Sequence, residues 1–159
     1  MMTIEQLATQ LGQQLLKRQC KLVTAESCTG GWIAQAITTI AGSSQWFERG
    51  FVTYSNQAKE EMLGVPVNIL NQYGAVSEQT ARAMAEGALV HSHAQVSISV
   101  TGIAGPDGGI VEKPIGTVWF GFSGKTFNTQ TIHQLFQGDR QFIRQQAVSF
   151  ALSQLIKIL

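Results

Sequence analysis

From residue 95 to residue 101 the chain alternates without a break, with Val96, Ile98 and Val100 on one side and Ser97, Ser99 and Thr101 on the other. A period of two is the repeat of a β-strand. This strand runs directly into Gly102-Ile103-Ala104-Gly105-Pro106-Asp107-Gly108-Gly109, a loop dense in residues that permit unusual backbone angles or fix them. A strand needs neighbours to pair with and a layer to cover it. The rest of the chain must supply both.

It does so by alternating strand and helix patterns. Thr3 and Gln6 stand in capping-box positions ahead of Ile4, Leu7, Leu11 and Leu15 at helical spacing, and this helix ends near Lys17-Arg18. Lys21 to Ala25 is a short β-like run, followed at once by Glu26-Ser27-Cys28-Thr29-Gly30-Gly31 and a helical pattern through Trp32, Ile33, Ala36, Ile37 and Ile40. Phe51 to Tyr54 reads as a second strand. Asn56 then caps a short helix carrying Lys59 and Met62 that stops at Gly64, with Pro66 as the break. Ser77 caps a longer helix through Ala81, Met84, Ala85 and Ala88. Strands follow at Thr117 to Ser123 and Thr126 to Phe136. Gly138-Asp139 opens a C-terminal helix whose buried stripe is expected to hold Phe142, Ile143, Ala147, Phe150, Ala151 and Leu155. The expected fold is α/β, a single-domain three-layer α/β/α sandwich over residues 1–159 with a mixed sheet of about five strands.

Composition narrows the function. The 159 residues suit one domain with a sizeable core. Charged residues make up 13%, about half of the typical ~25%, and the net charge is +1. That balance argues against disorder and gives no electrostatic reason to bind nucleic acid. Polarity comes instead from 18 Gln, and so weakly charged a surface favours self-association. No stretch approaches the roughly 20 apolar residues of a membrane span, and MMTIEQLATQ lacks the pattern of a secretory signal, so a cytoplasmic location without a membrane partner is expected. Cys20 and Cys28 are too few for a disulfide scaffold, and His91, His93 and His133 lack the spacing of a helical metal pair, so no metal site is expected.

Four segments could carry chemistry. In Ala25-Glu26-Ser27-Cys28-Thr29-Gly30-Gly31-Trp32, hydroxyls and a thiol sit at a strand end beside a helix N-terminus, where free N–H groups attract phosphate or an oxyanion. The plainer alternative is that Ser27 or Thr29 caps the helix. In the second segment Tyr54, Ser55 and Asn56 lead into a helix with Lys59 one turn on, and a lysine held near Ser27 could act as the base that activates the hydroxyl. A solvated surface lysine is the alternative, and spacing alone cannot join Ser27 to Lys59. The third is the loop 101–109, whose backbone a ligand can approach closely. The fourth is Gly138-Asp139-Arg140 with Arg144, where a planar fork suits phosphate or carboxylate and an exposed basic face is the alternative.

Taken in order, Ala-Glu-Ser-Cys-Thr-Gly-Gly at 25–31, Gly-Phe-Val-Thr-Tyr-Ser-Asn at 50–56 with Lys59, Gly-Ala-Val-Ser at 74–77, Thr-Gly-Ile-Ala-Gly-Pro-Asp-Gly-Gly at 101–109, Lys-Pro-Ile-Gly-Thr-Val at 113–118 and Gly-Asp-Arg at 138–140 closely resemble the CinA C-terminal-domain family. The match is to its stand-alone members, the nicotinamide-nucleotide amidohydrolases, over nearly the whole chain. The resemblance implies hydrolysis of the carboxamide of nicotinamide mononucleotide to nicotinic acid mononucleotide and ammonia, in pyridine-nucleotide recycling, with no cofactor and no metal. Ser27 is implied as nucleophile and Lys59 as its base, with Tyr54 and Thr101 orienting the dyad or the amide. Cys28, Thr29, Gly30, Gly31, Ser55, Asn56, Gly102, Ala104 and Gly105 are implied around the substrate, with Arg140 and Arg144 on its phosphate. A homodimer or higher homo-oligomer is implied as well. Longer relatives carry an added pyrophosphatase-associated domain, and only the deamidase half is expected here. Cys28 stays open as an alternative nucleophile, since a thiolate at a helix N-terminus is intrinsically the stronger one. The competing reading is a catalytically silent nucleotide-binding or regulatory module linked to competence or DNA damage.

Overall fold

A computed structural model describes residues 1–159. Six helices and five strands follow the order α1 (Ile4–Lys17), β1 (Leu22–Glu26), α2 (Trp32–Thr38), β2 (Phe47–Val52), α3 (Asn56–Leu63), α4 (Val67–Tyr73), α5 (Glu78–Val90), β3 (Val96–Gly102), β4 (Thr117–Gly124), β5 (Gln130–Leu135) and α6 (Arg140–Ile158). The strands make one sheet in the order β2-β1-β3-β4-β5. β1 pairs in parallel with both β2 and β3, while β3–β4 and β4–β5 are antiparallel, so the sheet is mixed as expected.

Two cores cover the two faces of the sheet. Leu7, Leu11 and Leu15 of α1, Ile33 and Ile37 of α2, and Ile143, Ala147, Ala151 and Leu155 of α6 pack on Ile98, Val100, Phe120 and Phe122. On the other face Met84 and Ala88 of α5 meet Val23, Ala25, Leu63 and Leu70. The hydroxyl face of β3 is therefore buried too. Ser97 and Ser99 donate to the carbonyls of Ala85 and Ala81 on α5, at 2.7 and 2.6 Å. Small residues on α5 bring the helix close enough for these bonds. A Cβ at Gly121 in β4 would lie 2.5 Å from both Ala81 O and Ser99 Oγ, so the approach requires glycine there.

Local chemistry sets most element ends as expected. Thr3 and Gln6 form the capping box of α1, Ser77 caps α5, and Asp139 caps α6 through Phe142 N. Five expectations need correction. The last strand is Gln130–Leu135 rather than 126–136, because bends at 125–127 precede it. The second strand is Phe47–Val52 rather than 51–54, because its pairing with β1 begins at Phe47. Ser55, not Asn56, caps α3, accepting from Ala58 N at 3.0 Å. Pro66 separates two helices: it precedes α4, which the sequence reading had missed, since proline is well tolerated at a helix start. Phe142 stands exposed at the start of α6 rather than in its buried stripe. No helix is long and apolar enough to cross a membrane.

Candidate active site

A cleft of about 270 Å³ opens at the carboxyl ends of β1 and β3, where open α/β sheets place their ligands. Ser27, Cys28, Tyr54, Lys59, Thr101 and Arg140 contribute to its lining, together with Ala75-Val76 and the loop 102–108. Ser27 follows the last residue of β1, and its amide is held by Val100 O of β3 at 2.9 Å. Lys59 reaches in from the first turn of α3, which Ser55 starts.

The fold closes the 32 residues between the two groups: Lys59 Nζ lies 3.0 Å from Ser27 Oγ. The same amine donates to Thr53 O at 2.9 Å and Tyr54 O at 3.1 Å. The charged amine donates its third bond to Ser27 Oγ, whose own hydroxyl points at Tyr54 O 3.4 Å away; in the neutral form the lone pair is free for the Ser27 proton. Ser27 is 8% exposed and Lys59 only 1%. Burial lowers the lysine pKa from 10.5 to about 8.

Cys28 behaves in the opposite way. Its thiol is pushed up to about 12, first by burial and then by the Glu26 carboxylate, against smaller pulls from Arg144 and Lys59. The helix N-terminus does not make a thiolate here.

Glu26 is the residue whose role sequence reasoning missed. Its carboxylate, 1% exposed, accepts from Thr29 Oγ1 at 2.6 Å, Ile33 N at 2.9 Å and Ala34 N at 3.0 Å. The N-cap of α2 is Gly31, at φ 102°, with no side chain to cap the helix. Glu26 takes over from the end of β1, so neither Ser27 nor Thr29 caps α2. The only signal was a carboxylate type before the hydroxyl run, seven residues ahead of the amide it binds. The amides of Cys28, Thr29 and Gly31 have no protein acceptor, whereas Gly30 N and Trp32 N donate to Ser27 O and Thr29 O at 3.0 Å each.

The other expected site residues divide clearly. Tyr54 presents its carbonyl to Lys59 and its phenol oxygen to Arg140 Nη2 at 3.3 Å. Arg140 Nη1 also donates to Gly105 O at 2.8 Å, so it ties the Gly-rich loop to the lip of the cleft. Thr101 donates to Ala75 O at 2.7 Å and thereby fixes a cleft wall, with no hydrogen bond to Ser27 or Lys59. Gly102, Ala104 and Gly105 line the cleft. Thr29, Gly30, Gly31, Ser55, Asn56 and Arg144 do not. No three His, Cys, Asp or Glu side chains converge anywhere in the fold.

Known proteins resemble this chain over nearly its whole length. The profile of the CinA C-terminal domain matches residues 4–159. The nicotinamide-nucleotide amidohydrolase PncC of Enterobacter agglomerans is 56% identical over 149 residues, covering 94% of this chain and 91% of that protein. Its counterpart in Escherichia coli strain K12 is 55% identical over 150 residues, with the same coverage of 94% and 91%. The crystal structure of the competence/damage-inducible protein CihA from Agrobacterium tumefaciens superposes with a TM-score of 0.95 at 46% identity, covering 98% of this chain and 94% of that one. The agreement runs through every element that builds the cleft, and the chain belongs to the CinA C-terminal domain family.

Proposed function

We propose that this chain is a nicotinamide-nucleotide amidase: it hydrolyses the carboxamide of nicotinamide mononucleotide to nicotinic acid mononucleotide and ammonia, within pyridine-nucleotide recycling. The observation that carries the reading is the 3.0 Å contact between a buried Lys59 amine and Ser27 Oγ. The names of the relatives at 55–56% identity support the substrate class.

An amide is a poor electrophile, so three tasks must be met: activating a nucleophile, stabilising an oxyanion and protonating departing ammonia. Neutral Lys59 takes the Ser27 proton as Oγ bonds to the carboxamide carbon. The amide of Cys28, beside the nucleophile and free of a protein acceptor, receives the negative oxygen. The Lys59 ammonium then protonates the leaving nitrogen, the C–N bond breaks, and ammonia departs from a Ser27 ester. Water, deprotonated by Lys59, cleaves that ester and the proton returns to Ser27. Arg140 takes the phosphate at the cleft lip, and the Gly102 to Gly109 loop covers the nucleotide. No step uses a metal. Residues 1–159 act as one domain, in the cytoplasm, as a homodimer or higher homo-oligomer.

Ammonia release from purified protein with nicotinamide mononucleotide and EDTA tests the reading, with Ser27→Ala as control. Steady release by the wild type and none by the variant is expected. Folded wild-type protein that binds the nucleotide yet yields no ammonia would favour the silent module.

A further inference from the structure

We propose that Arg144 is a positioning residue that holds the nucleophile turn and its Cys28 N–H oxyanion donor in place, not a ligand of the substrate phosphate; this rests on the amidase reading above. An arginine in the second turn of a helix near a nucleotide cleft invites assignment to phosphate. Unlike Arg140, it does not line the cleft, and two of its donors hold the nucleophile turn. Nε donates to Cys28 O at 3.0 Å and Nη2 to Thr29 O at 3.1 Å. The guanidinium also lies 5.4 Å from the centroid of the Trp32 ring.

The consequence follows from peptide chemistry. The carbonyls of Cys28 and Thr29 belong to the two peptide planes that follow the Cys28 N–H, and a cationic fork on both fixes those planes. The Cys28 N–H has no protein acceptor, and Cys28 lines the cleft beside Ser27. Opposite Arg144, the Glu26 carboxylate grips Thr29 Oγ1 and the first amides of α2. The turn carrying Ser27 is thus held between α6 and β1. Losing the α6 grip frees the turn to shift, and with it the Cys28 N–H and Ser27 Oγ. Two carbonyls spaced for a planar fork suit arginine, and a lysine ammonium reaches only one of them well.

The test is steady-state kinetics of wild type, Arg144→Gln and Arg144→Lys on nicotinamide mononucleotide and on nicotinamide riboside, which has the same amide and no phosphate. Melting temperature and mononucleotide Kd in a Ser27→Ala background accompany each variant. Removing one oxyanion donor lowers kcat by about 10²–10³, so a donor left in place but loosened should lower it about 10- to 100-fold in Arg144→Gln. KM and Kd should stay within about twofold, the loss should be equal for both substrates, and Arg144→Lys should recover part of it. If the riboside turns over too slowly to measure, the split between kcat and KM on the mononucleotide decides. Should Arg144→Gln fail to fold, Arg144→Lys supplies the same split. A raised KM and Kd for the mononucleotide with kcat intact and the riboside unaffected would overturn the proposal in favour of a phosphate ligand. An unaltered kcat would also overturn it. If the wild type releases no ammonia, the amidase reading fails and this proposal falls with it; the other failures leave that reading standing.

Discussion

A lysine amine that is 1% exposed among backbone carbonyls cannot remain an ordinary lysine. With its pKa lowered to about 8 by burial, about a tenth of Lys59 is neutral at pH 7, and only that fraction can accept the Ser27 proton. kcat/KM should therefore climb close to tenfold per unit below pH 8 and level off above it. A profile flat from pH 6 to pH 9 would remove Lys59 from the base role. The nucleophile has its own test. Ser27→Ala should lose at least about 10³-fold in kcat, while Cys28→Ala, which removes a thiol held protonated to about 12, should keep activity within a few fold. The chemical types of this pair were legible in the sequence, as a hydroxyl at a strand end and a lysine one turn into a helix. Their meeting was not, since 32 residues and a parallel strand pairing lie between them and no local period reports on that distance.

Between elements, the decisive connection is the cap that β1 supplies to α2. Capping rules look to the residue at the helix start or to one three positions on. Here that residue is Gly31, and the carboxylate comes from Glu26, whose partners include Ile33 N and Ala34 N. The arrangement was illegible because it follows from the fold of the turn, not from spacing along a helix. Glu26→Ala leaves buried donors without acceptors and should cost about 2–3 kcal/mol in urea denaturation. By contrast Ser55→Ala, which removes an exposed cap that the sequence pattern places one residue on at Asn56, should cost about 1 kcal/mol. Similar losses for the two variants would mean that Glu26 is not the cap of α2. The alternation over 95–101 marks the strand β3, Val96–Gly102, and its serine face is buried because Ala81 and Ala85 let α5 approach until its carbonyls accept from Ser97 and Ser99. Polarity in a strand pattern thus marked a helix contact as readily as a solvent face.

For the molecule as a whole, the cleft makes stability depend on pH in two opposing windows. Lys59 has a folded pKa of about 8 against 10.5 unperturbed, so between those values the unfolded chain holds a proton that the folded chain has released. Stability then rises with pH. Cys28 moves the other way, from 9.0 to about 12, so above pH 9 the unfolded chain loses a proton that the folded chain keeps. Stability then falls. The two slopes overlap and offset each other between pH 9 and 10.5, leaving a rise from pH 8 to 9, a shallow top and a fall beyond. Each slope is at most about 1.4 kcal/mol per pH unit, and the lysine's is smaller to the extent that solvent reaches the amine through the cleft. Urea denaturation across pH 7 to 11 separates the two groups, because Lys59→Met should abolish the rise and Cys28→Ala the fall, relative to wild type. A wild-type curve unchanged by Lys59→Met would mean that the amine titrates alike in both states. That outcome would withdraw the burial on which its role as a base depends.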